Sequence, residues 1–325
     1  MSRIAITGAS GAIGRSVCQE LLEHGHTTVT LGHQADIRWD LNDRLPREAA
    51  AAIESADVVL HAAADIRLSA TYENLYRVNV AAVADMVELI SELDRRPRLL
   101  YMSSAFAEPG PDGGHNNGYE RTKAEAESLI AASGLEATVM RPSLVMGSRA
   151  DGSIRRFSGI YIFIRMLRLG LVPAIPGFSQ VGVDLIPVDV VARETVAEIE
   201  KPSGRPVVGI TSGPAAPSLE ELVSTACDIF EAHGEAVDRP KFVTPDSYHR
   251  LFRPLVESRL SPAQRVMLET VEIFLPYFEQ DHVFASDMQF SRAEIMDVWK
   301  KSVEWWLGET SSTATRGRVV WARKN

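Results

Sequence analysis

The first fourteen residues constrain this chain most. An apolar run, Ile4-Ala5-Ile6, leads into Thr7-Gly8-Ala9-Ser10-Gly11-Ala12-Ile13-Gly14, and a helical pattern continues to Glu23. Glycines at T-G-x-x-G-x-x-G spacing between a strand and a helix serve three ends. The first allows a tight turn, the second lets backbone approach a pyrophosphate, and the third lets helix and strand pack closely. The helix N-terminus then faces the anion. On this reading Thr7, Gly8, Ser10, Gly11, Ala12, Ile13 and Gly14 form a dinucleotide-binding turn. A purely structural turn is the competing reading.

Downstream, apolar runs alternate with helical patterns. Strands are predicted at Ile4–Thr7, Thr28–Leu31, Val58–His61, Leu99–Ser103 and Ala137–Arg141. Helices are predicted at Ile13–Glu23, Arg47–Glu54, Val78–Leu93 and Tyr119–Ala132. Such alternation builds an α/β parallel sheet with helices on both faces and right-handed crossovers. After Pro142 the pattern changes. Gly147–Gly159 and Pro173–Gly182 read as loops, Val183–Pro187 and Pro206–Thr211 as further strands, and the chain from Ser218 as mostly helical. We expect a dinucleotide-binding domain at residues 1–142 plus about 182–213, a substrate-binding region at about 143–181 and 214–308, and a flexible tail at 309–325.

The net charge of −9 argues against nucleic acid as a main partner. Cys18 and Cys227 have no metal-like spacing, so no metal site is expected, and a reduced, cytoplasmic setting fits. No signal-peptide pattern opens the chain. The nearest approach to a membrane span, Ile160–Leu171, is broken by Arg165 and Arg168. It reads as an amphipathic helix, without stable membrane insertion.

A carboxylate closing the second strand would bind the ribose hydroxyls of NAD. Here the strand ends Leu31-Gly32-His33-Gln34, with no acid. This favours NADP(H), leaves NAD(H) open, and makes His33 and Arg15 candidates for a 2′-phosphate. An exposed loop histidine fits His33 equally. Asp40-Leu41 lies where a carboxylate can accept from the adenine amino group, though a plain turn residue fits as well.

Tyr119-Glu120-Arg121-Thr122-Lys123 puts a phenol and an ammonium four residues apart, on one face of a helix. The ammonium is expected to lower the Tyr119 pKa, which suits proton transfer at a carbonyl as hydride arrives. A surface i,i+4 pair has the same spacing. Ser103-Ser104 close a parallel strand, at the edge where such sheets bind ligands. A hydroxyl there polarises a substrate oxygen or caps a turn.

Taken in order, T-G-x-x-G-x-x-G, His61-Ala62-Ala63-Ala64, Asn79-Val80, Ser103-Ser104-Ala105, Tyr119-x-x-x-Lys123 and Arg141-Pro142-Ser143 resemble the extended short-chain dehydrogenases/reductases (NAD-dependent epimerase/dehydratase-like) over residues 1–210. The resemblance implies a Rossmann-type doubly wound parallel sheet with a smaller, mainly helical C-terminal substrate-binding region. It implies catalysis by Ser104, Tyr119 and Lys123, with Ser104 the better match to the catalytic hydroxyl than Ser103. It implies that Ala62, Ala63, Asn79, Pro142, Tyr119 and Lys123 join the glycine turn in holding the cofactor, and that the protein is a homodimer. Asn79 either serves a proton relay or makes a structural hydrogen bond.

The segments Arg141-Pro142-Ser143-Leu144-Val145-Met146-Gly147, Phe157-Ser158-Gly159-Ile160-Tyr161 and Val183-Asp184-Leu185-Ile186-Pro187-Val188-Asp189 are similar to the fatty acyl-CoA reductase and thioester reductase branch. That implies NADPH-dependent reduction of an acyl thioester or its aldehyde, presented on coenzyme A or a carrier protein. The Ser104–Tyr119 connection is shorter than is usual there. A sugar-nucleotide epimerase shares the same core and stays open. Ala105-Phe106-Ala107 lacks the acids that dehydratases carry after the catalytic hydroxyl, and a non-enzymatic cofactor sensor would not need both Tyr119 and Lys123. Further on, Phe157, Tyr161, Phe163, Met166 and Leu167 either line an apolar channel or simply pack. Arg155 and Arg156 either meet phosphates or solvate a loop. Trp299, Trp305 and Trp306 read as core or interface anchors.

Overall fold

The computed structural model describes residues 1–110, 112–170, 172–254, 269, 272–279 and 282–314. The chain forms two compact units. The first comprises Met1–Ser143, Val188–Thr211 and Ala285–Met288, and the second is the remainder.

The first unit opens with β1 (Arg3–Thr7), α1 (Ala12–Glu23), β2 (Thr27–Gly32), β3 (Ile37–Arg38), α2 (Arg47–Glu54), β4 (Val58–His61) and α3 (Tyr72–Tyr76). A π-helical turn at Arg77–Ala81 leads to α4 (Ala82–Glu92), β5 (Arg98–Met102), α5 (Gly118–Ala132) and β6 (Ala137–Pro142). The second unit begins with β7 (Leu144–Met146), α6 (Ile160–Arg168), β8 (Ala174–Pro176) and β9 (Leu185–Pro187). The chain returns to the first unit for α7 (Val188–Glu200) and β10 (Val207–Ile210). It then finishes the second with α8 (Leu219–Ala232), β11 (Lys241–Val243) and a long helix, Arg292–Ala314.

The seven-stranded sheet runs β10-β6-β5-β4-β1-β2-β3, and every pairing in it is parallel. A parallel sheet covered on both faces needs apolar side chains on both. β4 and β5 meet that demand, being buried along their whole lengths. Val59, Leu99 and Tyr101 face one side, where Met86 and Ile90 of α4 and Ala126 and Ile130 of α5 cover them. Ile4, Ile6, Leu60 and Leu100 face the other, under Val17 and Leu21 of α1 and Ala192 and Val196 of α7. The doubly wound sheet expected from the sequence is therefore present.

Several boundaries differ. β3, only two residues long, extends the sheet edge beside β2, where no strand was expected. The helix predicted at Val78–Leu93 begins earlier and carries the π-turn. The stretch read as a loop at Pro173–Gly182 contains β8, which pairs in parallel with β11. The tail expected from residue 309 stays helical to Ala314, and its later residues lie outside the described ones.

In the second unit, β7 pairs with β9, and the helix Arg292–Ala314 packs on both strands and on α8. Trp299 and Trp306 are core residues, with the Trp299 indole N–H donating to the Leu222 carbonyl at 3.1 Å. Tyr161, Phe163, Met166 and Leu167 are all buried in this unit's own packing, with Phe163 set against Phe274 and Phe278. The packing reading therefore holds for these four, and the channel reading does not. Among the described residues no helix is long and apolar enough to cross a membrane, and no cluster of three metal-type ligands occurs.

One buried ion pair ties the sheet to α7. Arg98 on β5 donates to the Glu198 carboxylate at 3.2 Å and also to the Glu198 backbone carbonyl. Thr138 on β6 donates to the same carboxylate at 3.1 Å, and so does the Ser203 backbone N–H, at 3.1 Å. Removing one partner of such a pair strands a buried charge. We expect Glu198→Ala to cost about 3–5 kcal/mol, read from denaturant unfolding. A loss below about 1 kcal/mol would show that the pair is not a structural fastener.

Candidate functional site

The glycine turn is shaped by lack of room. Gly8, at φ 77°, follows β1, and a Cβ there would meet the Ala63 nitrogen at 2.5 Å and the Ala62 carbonyl carbon at 2.6 Å. A Cβ on Gly14 would fall 2.2 Å from the Gly8 carbonyl oxygen. The Gly11 N–H closes the turn by donating to that same oxygen at 2.9 Å. α1 begins after Gly11 with no side-chain cap, so its first-turn N–H groups have no side-chain partner there. Ala62 and Ala63 donate their N–H groups to the Thr7 carbonyl (3.2 Å) and hydroxyl (3.3 Å), which locks the chain after β4 against the turn. A backbone cradle that no side chain can fill fits a dinucleotide pyrophosphate.

At the end of β2, His33 is exposed and sits 3.6 Å from the Asp40 carboxylate. Asp40 also accepts from the Asn42 backbone N–H and side-chain amide, both at 2.9 Å, and the backbone bond chiefly holds its pKa below the usual carboxylate value. Leu41 packs into the core beside this turn. Arg38 was not singled out from the sequence. The two-residue β3 aligns it with Gly32, in a basic position beside the β2 terminus.

α5 presents the tyrosine and lysine. Asn117 caps it by accepting from the Glu120 N–H at 3.0 Å, while the Glu120 carboxylate accepts from the Asn116 N–H at 2.7 Å. Gly118 is needed at this start, since a Cβ would lie 2.7 Å from the Tyr72 nitrogen. This reciprocal cap fixes Tyr119 in the first turn. Ser104, extended directly after β5, accepts from the Phe106 N–H at 3.3 Å and lies close enough to the Tyr119 phenol to pull its pKa down. A hydroxyl can donate once and accept twice, so the turn-capping and tyrosine-facing roles coexist on one oxygen. Ser103 is committed elsewhere. It donates to the buried Glu127 carboxylate, which also accepts from Arg141 Nε at 3.0 Å. That separates the two serines.

Lys123 is 1 % exposed. Its ammonium donates to the Met102 carbonyl at 2.7 Å and sits 4.1 Å from the centre of the Tyr101 ring. Burial pulls its pKa down to about 7, against a smaller opposing pull from Glu127. The expected depression of the Tyr119 pKa is reversed. Burial pushes the phenol up to about 12, the Ser104 hydrogen bond opposes this, and Glu120 adds to it. The ammonium is turned toward Met102 and Tyr101, so desolvation decides the sign.

Asn79 stands in the π-turn with its amide held through both oxygen and nitrogen. Its oxygen accepts from the Asp65 N–H at 2.8 Å, and its nitrogen donates to the Asp65 carbonyl at 2.9 Å and to Thr122 Oγ1 at 3.1 Å. These bonds tie the π-turn to the Asp65 backbone and to Thr122 of α5. Pro142 ends β6 and is buried. Asp184 of the Val183–Asp189 segment accepts from Ser212 N (2.7 Å), Ser212 Oγ (2.9 Å) and Gly213 N (2.8 Å), a turn fastener inside the second unit.

The model of the NAD dependent epimerase/dehydratase family matches residues 4–208. The hybrid PKS-NRPS synthetase poxE of Penicillium oxalicum is 27% identical over 242 residues, covering 62% of this chain and 6% of that protein. The L-2-aminoadipate reductase large subunit of Eremothecium gossypii is 28% identical over 221 residues, covering 59% of this chain and 15% of that protein. This chain therefore spans a small part of either relative. The crystal structure of the terminal R domain from the myxalamid PKS-NRPS biosynthetic pathway superposes with a TM-score of 0.70 at 18% identity, over 97% of this chain and 91% of that one, a likeness of fold. The family match runs from β1 into β10, across the whole sheet and the glycine turn. The chain belongs to the NAD dependent epimerase/dehydratase family of extended short-chain dehydrogenases/reductases.

Proposed function

We propose that the protein is an NADPH-dependent carbonyl reductase whose substrate is an acyl thioester or the derived aldehyde, with Ser104, Tyr119 and Lys123 as its catalytic residues. The observation that carries this reading is the Ser104 hydroxyl acting on the Tyr119 phenol, one helical turn from a buried Lys123. A nicotinamide dinucleotide, held by its pyrophosphate in the glycine cradle, would supply the hydride. Ser104 Oγ and Tyr119 Oη then share the carbonyl oxygen of the substrate, and Tyr119 gives its proton to that oxygen as it becomes an alkoxide. A phenol near pKa 12 is protonated throughout the neutral range, which suits the acid's role in reduction. Lys123 holds the ribose with its ammonium.

His33 and Arg38 stand beside the β2 terminus, where Leu31 and Gly32 carry no acid and the nearby Asp36 and Asp40 carboxylates are engaged by Thr30 and by Asn42 and His33; this supports NADP(H) over NAD(H). Arg155 and Arg156 are exposed and make no ion pair among the described residues. Two free guanidinium groups fit the phosphates of a coenzyme A or carrier-protein arm. The likeness to a PKS-NRPS synthetase and to an aminoadipate reductase subunit supports a tethered acyl substrate.

The direct test follows the absorbance of NADPH and NADH in parallel with acyl-CoA thioesters, aldehydes and ketones. NADPH oxidation with a thioester or aldehyde is expected, reduced about 10²–10⁴-fold by Tyr119→Phe. Absence of oxidation with every substrate, together with tightly co-purifying nicotinamide, would turn the assignment to redox-neutral epimerisation.

A second expectation concerns stability. The folded pKa of Lys123, about 7, lies below its unfolded value, so between roughly pH 7 and 10.5 the unfolded chain binds more protons. The charge thus destabilises the fold fully at and below pH 7, and the penalty fades as pH rises toward 10.5. Lys123→Met should stabilise the cofactor-free protein at pH 7 by on the order of a few kcal/mol, with the gain vanishing near pH 10. Parallel melting curves of the two proteins across this range check it. A gain independent of pH would contradict it.

A further inference from the structure

Three residues on adjacent strands form one cross-strand row. Thr7 of β1 is in register with His61 of β4, and His61 with Tyr101 of β5. Thr7 Oγ1 lies 2.8 Å from His61 Nδ1. The His61 and Tyr101 rings stack at 5.9 Å with only 10° between their planes. Both rings are 1 % exposed. Among the described residues each has a polar atom without a hydrogen-bond partner, His61 Nε2 and the Tyr101 hydroxyl. The row therefore does not work through those atoms. What it offers is the Tyr101 ring, with the Lys123 ammonium 4.1 Å from its centre.

We propose that Tyr101 is a positioning residue for Lys123, its ring seating the ammonium by a cation–π contact and its own orientation fixed by the His61 stack and the Thr7–His61 hydrogen bond. The ammonium must be buried to reach the site, and neutral carbonyl coordination by Met102 supplies only one of the contacts it needs. A desolvated ammonium over an aromatic face gains more than an exposed one. The ring thus keeps Lys123 charged at a depth where burial alone would discharge it. Among the described residues, the ionisable groups coupled to it are Glu127 on its own helix and His61 on β4, with the Tyr101 ring on β5 against it. The Glu127 carboxylate is shared with Arg141 from β6. His61 stays neutral, its pKa pulled down to about 3 by burial and then by Lys123, so it adds no competing charge.

The proposal rests on Lys123 acting in the proposed reductase, and the experiment separates the two. Tyr101 is replaced by phenylalanine and by phenylalanines carrying one to three ring fluorines, which keep the shape and weaken the π face stepwise. The Lys123 side-chain NMR signal, identified by its loss in Lys123→Met, is titrated in each folded variant, and NADPH turnover is followed against pH. Tyr101→Phe is expected to titrate within a few tenths of a unit of the parent. Stepwise fluorination is expected to lower the Lys123 midpoint by about one unit in total, and to move the turnover profile with it. A midpoint that ignores fluorination overturns the seat, even if Tyr119→Phe abolishes turnover. A midpoint that follows fluorination while Tyr119→Phe keeps full turnover upholds the seat and removes the catalytic assignment instead.

Discussion

A lysine ammonium placed at the carboxyl edge of a parallel sheet has to be desolvated, and the architecture around Lys123 answers that cost. The Met102 carbonyl takes one N–H at 2.7 Å, and the Tyr101 ring lies under the charge. Glu127 stays close enough to pull the pKa upward, yet Ser103 and Arg141 hold its carboxylate away from direct pairing. A direct carboxylate bond would have fixed the ammonium as a structural ion pair. A neutral carbonyl and a π face stabilise it more weakly and leave its donors available for exchange. The residues of β5 and β6 around the site, from Tyr101 to Arg141, are arranged about this one charge.

The parts of this arrangement that were legible in the sequence are those where one residue type alone fits. The tight turn at Gly8 and Gly14 was legible because any side chain there would strike backbone. The strands at Val58–His61 and Leu99–Ser103 are read to within one residue, the latter running Arg98–Met102, because burial on both faces leaves largely apolar runs. Ser104 and Tyr119 fall together because the strand end and the helix start are both fixed by local signals, including the Asn117 and Glu120 cap.

What stayed hidden depends on surroundings. The sign of the Tyr119 shift is set by burial, which spacing along a helix does not encode. Arg38 needed a two-residue strand too short to leave a periodic pattern. The aromatic run at Phe157–Leu167 has the same helical spacing whether it lines a channel or fills a core, and Tyr161, Phe163, Met166 and Leu167 fill a core. Asn79 was legible as a residue of interest, but only the Asp65 backbone and Thr122 around it reveal a clamp.

The row of Thr7, His61 and Tyr101 also binds three distant stretches of sequence into one unit of variation. A change at position 61 to a residue without a ring removes the stacking surface of position 101. A change at position 7 removes both the histidine's anchor and the hydroxyl that receives the Ala63 N–H. Drift at any one of the three is therefore felt at two others, and a lineage that loses the aromatic ring at 101 has little reason to keep the histidine at 61. In such proteins the three positions should change as a set, at a tempo set by the slowest of them.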